Sequence, residues 1–508
     1  MNIWKKAEKD IVMHGDKMNI VESCVDRHAG KTPAKVALLF LDEYENLKEI
    51  SYGELESEIN KFANYLNKLK VKKNSRVFIF LPKIPEMYIS FLGIIKQGSI
   101  AAPLFEAFQA DGLELRLTKG DADVLITNKE LLQRLKHKPK NMEIIVIDSQ
   151  EYESEIKKMS ADFSAEIKNK KDTAIMIFTS STAGTPVAGV EIPHYGLVQQ
   201  HFTGKLVLDL KENDKYWCTA HPGWVTGSVY GIISPLSIGC SVYVFEGHFD
   251  SKKWLDFIVK NKISVIYTAP TALRMLKSEV KKSDFASVRN ICSVGEALTD
   301  AIFNYYKEIG IEINDTYWQT ETGAIVIANY SGLKKKPGSM GKTIPGIKAK
   351  IKDDMIVLKP DWPAMMTGIY KHDKMYKSYF KAGLFLTNDR ATVDRQGYFF
   401  FKGRKDDIIK TSGERVSPIE IESILLKHKS VKEVAIIGIP DVVKGEVIKA
   451  FIVLEEDIAE RKELEEELKL FVKENYAGHA YPKIIEFVKT LPKTHSGKIV
   501  RMELRKNG

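Results

Sequence analysis

The sequence predicts an α/β protein: a large N-terminal domain of several α/β subdomains with mainly parallel sheets, followed by a small α+β domain. Two observations lead there. Short apolar runs alternate with helical patterns through most of the 508 residues, and such alternation builds βαβ units and parallel sheets. Near the C-terminus the alternation gives way to "GYFFFKGRKDDIIKTSGERVSP", where two strand signals flank a charged, glycine-punctuated segment and a second unit begins. A chain of this length buries a large core and exceeds one ordinary domain.

Along the chain, "RVFIFLP" precedes "EMYISFLGIIKQG", "ADVLIT" precedes "KELLQRLK", and "ISVIYTAP" precedes "TALRMLKSEV". In each pair a β-type run feeds a helix-period run. Ala174 to Phe178 is a short apolar run expected as a buried strand. The longest uncharged run, Tyr216 to Phe245, carries four glycines, four serines, Pro222 and Pro235. Those residues make it a poor membrane span and predict buried strands with a substrate-lining loop. Beyond the second unit's opening come "IEIESILLKH", "VKEVAIIGIPD", "VIKAFIVLEE" and a charge-laced helix over Glu460 to Glu474. They suit a module of about 100 residues. The expected division is residues 1–403, a polar hinge at 404–407, and 408–508.

Composition narrows the function classes. An apolar content of 44% with 28% charged residues describes a globular protein without internal repeats or low-complexity tracts. The net charge of +9 is spread over many lysines rather than gathered in one basic block. No nucleic-acid or membrane partner is therefore expected, although anionic small substrates gain some steering. Cys24, Cys218, Cys240 and Cys292 lie far apart and form no CxxC pair, which indicates neither a zinc site nor a disulfide framework. With no signal-peptide core in "MNIWKKAEKDIVMHGDKMN", a reducing cytoplasm is the expected compartment.

Chemistry concentrates in a few segments. In "IFTSSTAGTPVAGVEIPH" the hydroxyl residues Thr179, Ser180, Ser181 and Thr182, with Gly184, follow a strand. Small residues there let backbone N–H groups turn toward an anion, and hydroxyls add donors. A cation normally completes such a cradle, but Val187 and Ala188 stand in its place. In "NDTYWQTETG" a hydroxyl, Thr320, and a carboxylate, Glu321, precede Gly323. They suit phosphate contact and Mg²⁺ ligation, or, taken alone, an ordinary capping turn. Asp389, Arg404 and Lys498 in isolation would be solvated or ion-paired surface groups.

In order and spacing, "SVGEAL", "NDTYWQTETG", "LTNDRA", "GRKDDIIKTSGERVSP" and "LPKTHSGKIVR" together resemble the acyl-adenylate-forming enzymes, which include acyl-CoA synthetases. The resemblance runs from about Ile20 to the end. It implies ATP and coenzyme A as substrates, Mg²⁺, and a small carboxylate activated as acyl-AMP before thioester formation. It implies that Lys498, Thr320 and Glu321 act in adenylation, with Glu321 on the metal. Gly295, Glu296 and Ala297 would lie along adenine, with Tyr317 and Gln319 beside the nucleotide. Asp389 and Arg404 would take the ribose, and Thr179 with its neighbours the phosphates. The small domain would rotate between half-reactions, with Asp406 at the hinge and Gly413 and Arg415 on the face used with coenzyme A.

Departures from the pattern accompany the matches. Relatives read "TSGTTGxPKGV" where this chain has Ser181, Ala183 and "VA"; Ala297 replaces a proline; Asn388 replaces a glycine, which puts the local backbone in question; His221 replaces an acidic residue. Trp318 stands where relatives acting on longer chains have glycine, and "HPGWVTG" adds Trp224, Val225 and Thr226 as pocket lining. The combination is similar to the acetyl-CoA synthetase branch. Ligases for propionate or medium-chain acids, and a degenerate nucleotide-binding paralog with weak turnover, are the alternatives. Trp318 as plain core packing is the bland reading of the same residue.

Overall fold

The structure is a computed structural model. It describes the chain except residues 1–2, 43, 180–187, 248, 278, 406–408, 412–413, 442–444, 457, 461, 476–480, 494–498 and 507–508, and gives the backbone alone at 410, 414–415, 445, 502 and 506.

Two sheets form the body of the large domain. The first has seven strands, of which Thr173–Phe178, Ile100–Leu104, Arg76–Phe80, Val124–Thr127 and Glu143–Val146 run parallel in that order. Val77, Phe78, Ile79 and Phe80 are all inaccessible to solvent, as expected of a parallel strand covered on both faces. The helix Pro85–Gln97 follows, opened by a proline at its first position and closed by Gly98 in the left-handed region (φ 92°). Gly189–Pro193 returns antiparallel beside Thr173–Phe178.

The second sheet has fourteen strands. Val36–Leu41, Ser241–Phe245, Lys215–Cys218, Val265–Thr268, Asn290–Ser293 and Ile313–Tyr317 are parallel. Beyond Ile313–Tyr317 the sheet turns antiparallel, through Ile327–Ala328, Ser339–Thr343, Phe399–Arg404, Leu384–Val393, Met355–Leu358 and Ala349–Lys352. The sheets are thus mixed, and the antiparallel half extends the large sheet with strands that the helix–strand alternation does not announce.

The uncharged stretch after Lys215–Cys218 differs from its expectation. It is mostly helical, running through Val225–Ser228, a wider turn at Val229–Ile233 and Ser234–Ile238 before the strand Ser241–Phe245. Small residues permit a buried helix here: a Cβ on Gly227 would collide with the His221 carbonyl. Gly239, left-handed at φ 89°, stops it.

The smaller domain has its own five-stranded sheet, built on Val431–Asp441 paired with Gly445–Leu454. Its helices Pro418–Leu425 and Lys462–Asn475 pack Ile421, Leu425, Leu464 and Leu468 into a separate core. The two domains meet where Ser417 Oγ donates to the Lys402 carbonyl (2.5 Å) and Lys402 pairs with Glu420 (2.8 Å). Among the described residues no helix is long and apolar enough to cross a membrane.

Candidate active site

The strand Ile313–Tyr317 ends at the boundary between the parallel and antiparallel halves of the large sheet, and the chain then turns sharply through Trp318 to Gly323. In open α/β sheets ligands bind beyond the carboxyl ends of the parallel strands. The turn is closed locally. Thr322 and Gly323 donate backbone N–H groups to the Gln319 carbonyl (3.1 and 3.2 Å), and Gln319 N–H donates to Thr322 Oγ1 (2.9 Å). Gly323 takes φ 67°, and a side chain there would strike the Ala364 carbonyl. Thr320 and Glu321 at the crest stay partly exposed.

Asp389 and Arg404 are cross-strand partners on Leu384–Val393 and Phe399–Arg404. The carboxylate is buried. Its Oδ2 accepts from Tyr317 Oη (2.8 Å) and Gln319 Nε2 (2.6 Å), while the Arg404 Nε lies 3.7 Å from Oδ1. Gln319 also donates to the Thr387 carbonyl at 2.8 Å. Four of the predicted nucleotide residues, Tyr317, Gln319, Asp389 and Arg404, therefore form one hydrogen-bonded and ion-paired group. Burial beside the Asp389 charge raises the Tyr317 phenol, so it remains a donor. Asn388 sits at φ 57°, the left-handed region that glycine enters freely and asparagine tolerates. The replacement keeps a glycine-like backbone.

The segment Gly295, Glu296 and Ala297 lies at the end of Asn290–Ser293, the parallel neighbour of Ile313–Tyr317. Gly295 is exposed at φ 92° with open space beside its Cα, and Glu296 accepts from Thr271 Oγ1 at 2.9 and 2.8 Å. Beneath them is a residue not singled out from the sequence. Asp315 accepts from Ser293 Oγ (2.6 Å) and from the backbone of Leu298, and burial pushes its carboxyl up to about 7.

Trp318 is buried with 9% of its surface exposed. Its indole N–H donates to Tyr267 Oη (3.0 Å), which also bonds Thr316 Oγ1 (2.8 Å), and its ring meets Tyr230 edge-on at 5.1 Å. Tyr230 is in turn held by Thr203 and by the Ile325 N–H. Trp224 has different neighbours, with Phe105 at 5.5 Å and Phe108 at 6.3 Å between ring centres; Val225 and Thr226 follow it into the helix Val225–Ser228. His221 is buried in the same group. Its Nδ1 accepts from Gly223 N–H (2.9 Å) and its Nε2 reaches the Leu81 carbonyl (3.1 Å), which fixes the tautomer with the proton on Nε2.

Thr179 is described at the neck of the phosphate-type loop, where its N–H faces the Ala188 carbonyl at 3.4 Å. Ser180, Ser181, Thr182, Gly184, Asp406, Gly413 and Lys498 lie outside the described residues, as does the side chain of Arg415, whose backbone pairs with Lys410. The flanks of Lys498 are well anchored. Lys493 bridges to Ile499, Val500 N–H donates to the Pro492 carbonyl (2.8 Å), and Arg501 Nη2 reaches both oxygens of Glu422 (2.6 and 2.7 Å).

A polar turn carrying one carboxylate and a buried acid held by tyrosine and glutamine opposite an arginine thus lie together at one end of the parallel strands. In sequence comparison, the AMP-binding enzyme pattern matches residues 25–363 and its C-terminal domain pattern residues 420–498. The chain belongs to the AMP-binding enzyme family. It is 41% identical to the acetyl-coenzyme A synthetase of Bacillus subtilis (strain 168), over 96% of this chain and 90% of that one. It is 36% identical to the acetyl-coenzyme A synthetase of Methanothrix thermoacetophila, over 97% and 83%. Its fold is similar to the crystal structure of the anthranilate CoA ligase AuaEII in complex with anthranoyl-AMP, with a TM-score of 0.86 at 28% identity over 97% of this chain and 98% of that chain.

Proposed function

We propose that this chain is an AMP-forming acetate–CoA ligase that converts acetate and MgATP to acetyl-AMP and pyrophosphate, then acetyl-AMP and coenzyme A to acetyl-CoA and AMP. The observation that carries the acetate assignment is Trp318, a buried indole pinned by Tyr267 and Tyr230 immediately before the Gln-Thr-Glu-Thr-Gly turn. A side chain so held closes space that a longer acyl chain would need. The names of its relatives support the same substrate.

In this reading the Asp389 carboxylate accepts from the ribose hydroxyls, oriented by Tyr317 and Gln319, with Arg404 balancing its charge. Gly295, Glu296 and Ala297 border the adenine. Thr179 and the hydroxyls of its loop, with Thr320, donate to the phosphates. The donor set at Glu321 fits Mg²⁺: one carboxylate beside a phosphate site is its common protein contribution, and no cluster of three acidic, His or Cys ligands occurs among the described residues. When bound, Mg²⁺ would supply charge neutralisation on the leaving pyrophosphate. Lys498 stabilises charge developing at the α-phosphate as the carboxylate oxygen attacks in line. The polar joint at 404–407 then lets the domain of residues 408–508 turn about Asp406 to bring Gly413 and Arg415 toward coenzyme A. The cytoplasm is its proposed location.

The altered phosphate loop favours a second reading, a binder that no longer turns over. Carboxylate-dependent exchange of pyrophosphate into ATP, measured over acids of two to eight carbons, separates the two. Exchange strongest with acetate supports the ligase. Exchange peaking at six carbons would remove Trp318 as the floor, and ATP binding with no exchange would leave the binder.

A further inference from the structure

The polar turn is braced by one distant segment, residues 362–380, at successive positions. Trp362 Nε1 donates to the Thr322 carbonyl (2.9 Å), Ala364 occupies the space a side chain on Gly323 would need, and Met366 N–H donates to the Glu321 carbonyl (3.1 Å). The last contact is to the functional group itself. Tyr379 Oη donates to Glu321 Oε1 at 2.8 Å, and no other described residue hydrogen-bonds that carboxylate. The tyrosine ring lies nearly parallel to Phe385, 5.7 Å between centres and 20° between planes, and its carbonyl accepts from Leu386 N–H (2.7 Å). Both ends of Tyr379 are thus fixed by the strand that also carries Asp389.

We propose that Tyr379 is a positioning residue for adenylation: it holds one oxygen of Glu321 so that the other is presented to the metal and phosphates. The inference rests on the proposed metal-side role of Glu321. Two effects of the hydroxyl oppose each other. Donating to Oε1 draws charge from the carboxylate and weakens it as a ligand, whereas fixing the side chain removes rotamers that ligation would otherwise have to freeze. Glu321 is partly exposed, so water replaces a lost donor and the first effect is small. Rotamer freedom of a glutamate corresponds to roughly a tenfold change in an equilibrium constant, so orientation wins.

The test uses the full chain with Tyr379→Phe, which keeps the ring stack, alongside Glu321→Gln and the double variant. Pyrophosphate exchange is followed against free Mg²⁺, with thioester formation from supplied acetyl-AMP and the melting temperature measured on the same preparations. Tyr379→Phe is expected to need roughly tenfold more Mg²⁺ for half-maximal exchange. Its thioester rate should match the parent, and the double variant should behave like Glu321→Gln. An unchanged Mg²⁺ dependence in Tyr379→Phe, or equal losses in both half-reactions, overturns the positioning role. Full exchange in Glu321→Gln would instead overturn the role of Glu321, which the single variants report separately. Should Tyr379→Phe melt early, the double-variant cycle decides: a hydroxyl effect that persists without the carboxylate is structural and sinks the proposal.

Discussion

At the scale of single residues, two substitutions relative to the family pattern turn out differently once their surroundings are known. Asn388 adopts φ 57° next to the buried Asp389, so Asn388→Gly should leave adenylation intact. Asn388→Val forces a β-branched residue into the left-handed region at ~1–2 kcal/mol, and should raise the KM for MgATP because Asp389 moves with it. Trp318 is the other case. Trp318→Gly should shift preference toward acids longer by several methylenes, each contributing ~1–3 kcal/mol of discrimination. It also deletes a buried ring and the donor to Tyr267, a loss of ~3–5 kcal/mol typical of large-to-small core changes. A longer-chain preference accompanied by a lower melting temperature is the expected pair; a six-carbon preference already in the parent would exclude Trp318 as the floor.

At the scale of elements, the phosphate-type loop joins two antiparallel strands whose pairing holds up to Phe178 and Gly189. Ala188 is buried at that neck. A lysine is therefore better restored at Val187 than by shortening the loop. If only a charge-assisted hydrogen bond is missing, worth ~1.5–3 kcal/mol, Val187→Lys should improve exchange at limiting MgATP by roughly ten- to a hundredfold. Thioester formation from acetyl-AMP should not change. The neighbouring strands Asn290–Ser293 and Ile313–Tyr317 make a different prediction through Asp315. Its carboxyl is raised to about 7 in the folded protein, above its unfolded value, so the folded state binds the extra proton. That contribution is fully present below the ordinary aspartate range and is lost as pH rises toward about 7. Asp315→Asn should flatten the fall in stability across that window by at most about 1.4 kcal/mol per pH unit, read from denaturant midpoints at several pH values.

At the scale of the whole molecule, the proposed function would have the small domain serve two arrangements, one for each half-reaction. On that proposal Lys498→Ala should abolish carboxylate-dependent pyrophosphate exchange while sparing thioester formation from supplied acetyl-AMP, because it gives the lysine a role in only one arrangement. Comparable loss in both steps would contradict the two-state assignment.

What the sequence determined by itself was whatever is written in contiguous residues. Alternating apolar and helical periods specified the parallel strands, the ordered motifs placed the chain in its family, and Trp318 was legible because it adjoins the Gln-Thr-Glu-Thr-Gly run. Local sterics and hydrophobic period act over a few residues, so such features need no knowledge of the rest of the chain. Tertiary structure alone decided the antiparallel half of the large sheet and the buried helix within 225–238. It also decided the aromatic cage of Tyr230 and Tyr267 around Trp318, and the hydrogen bond from Tyr379 to a carboxylate 58 residues away. Those depend on strand register and on which surfaces close over one another. The free energy that selects them is summed over the whole core, and no short window of sequence contains it.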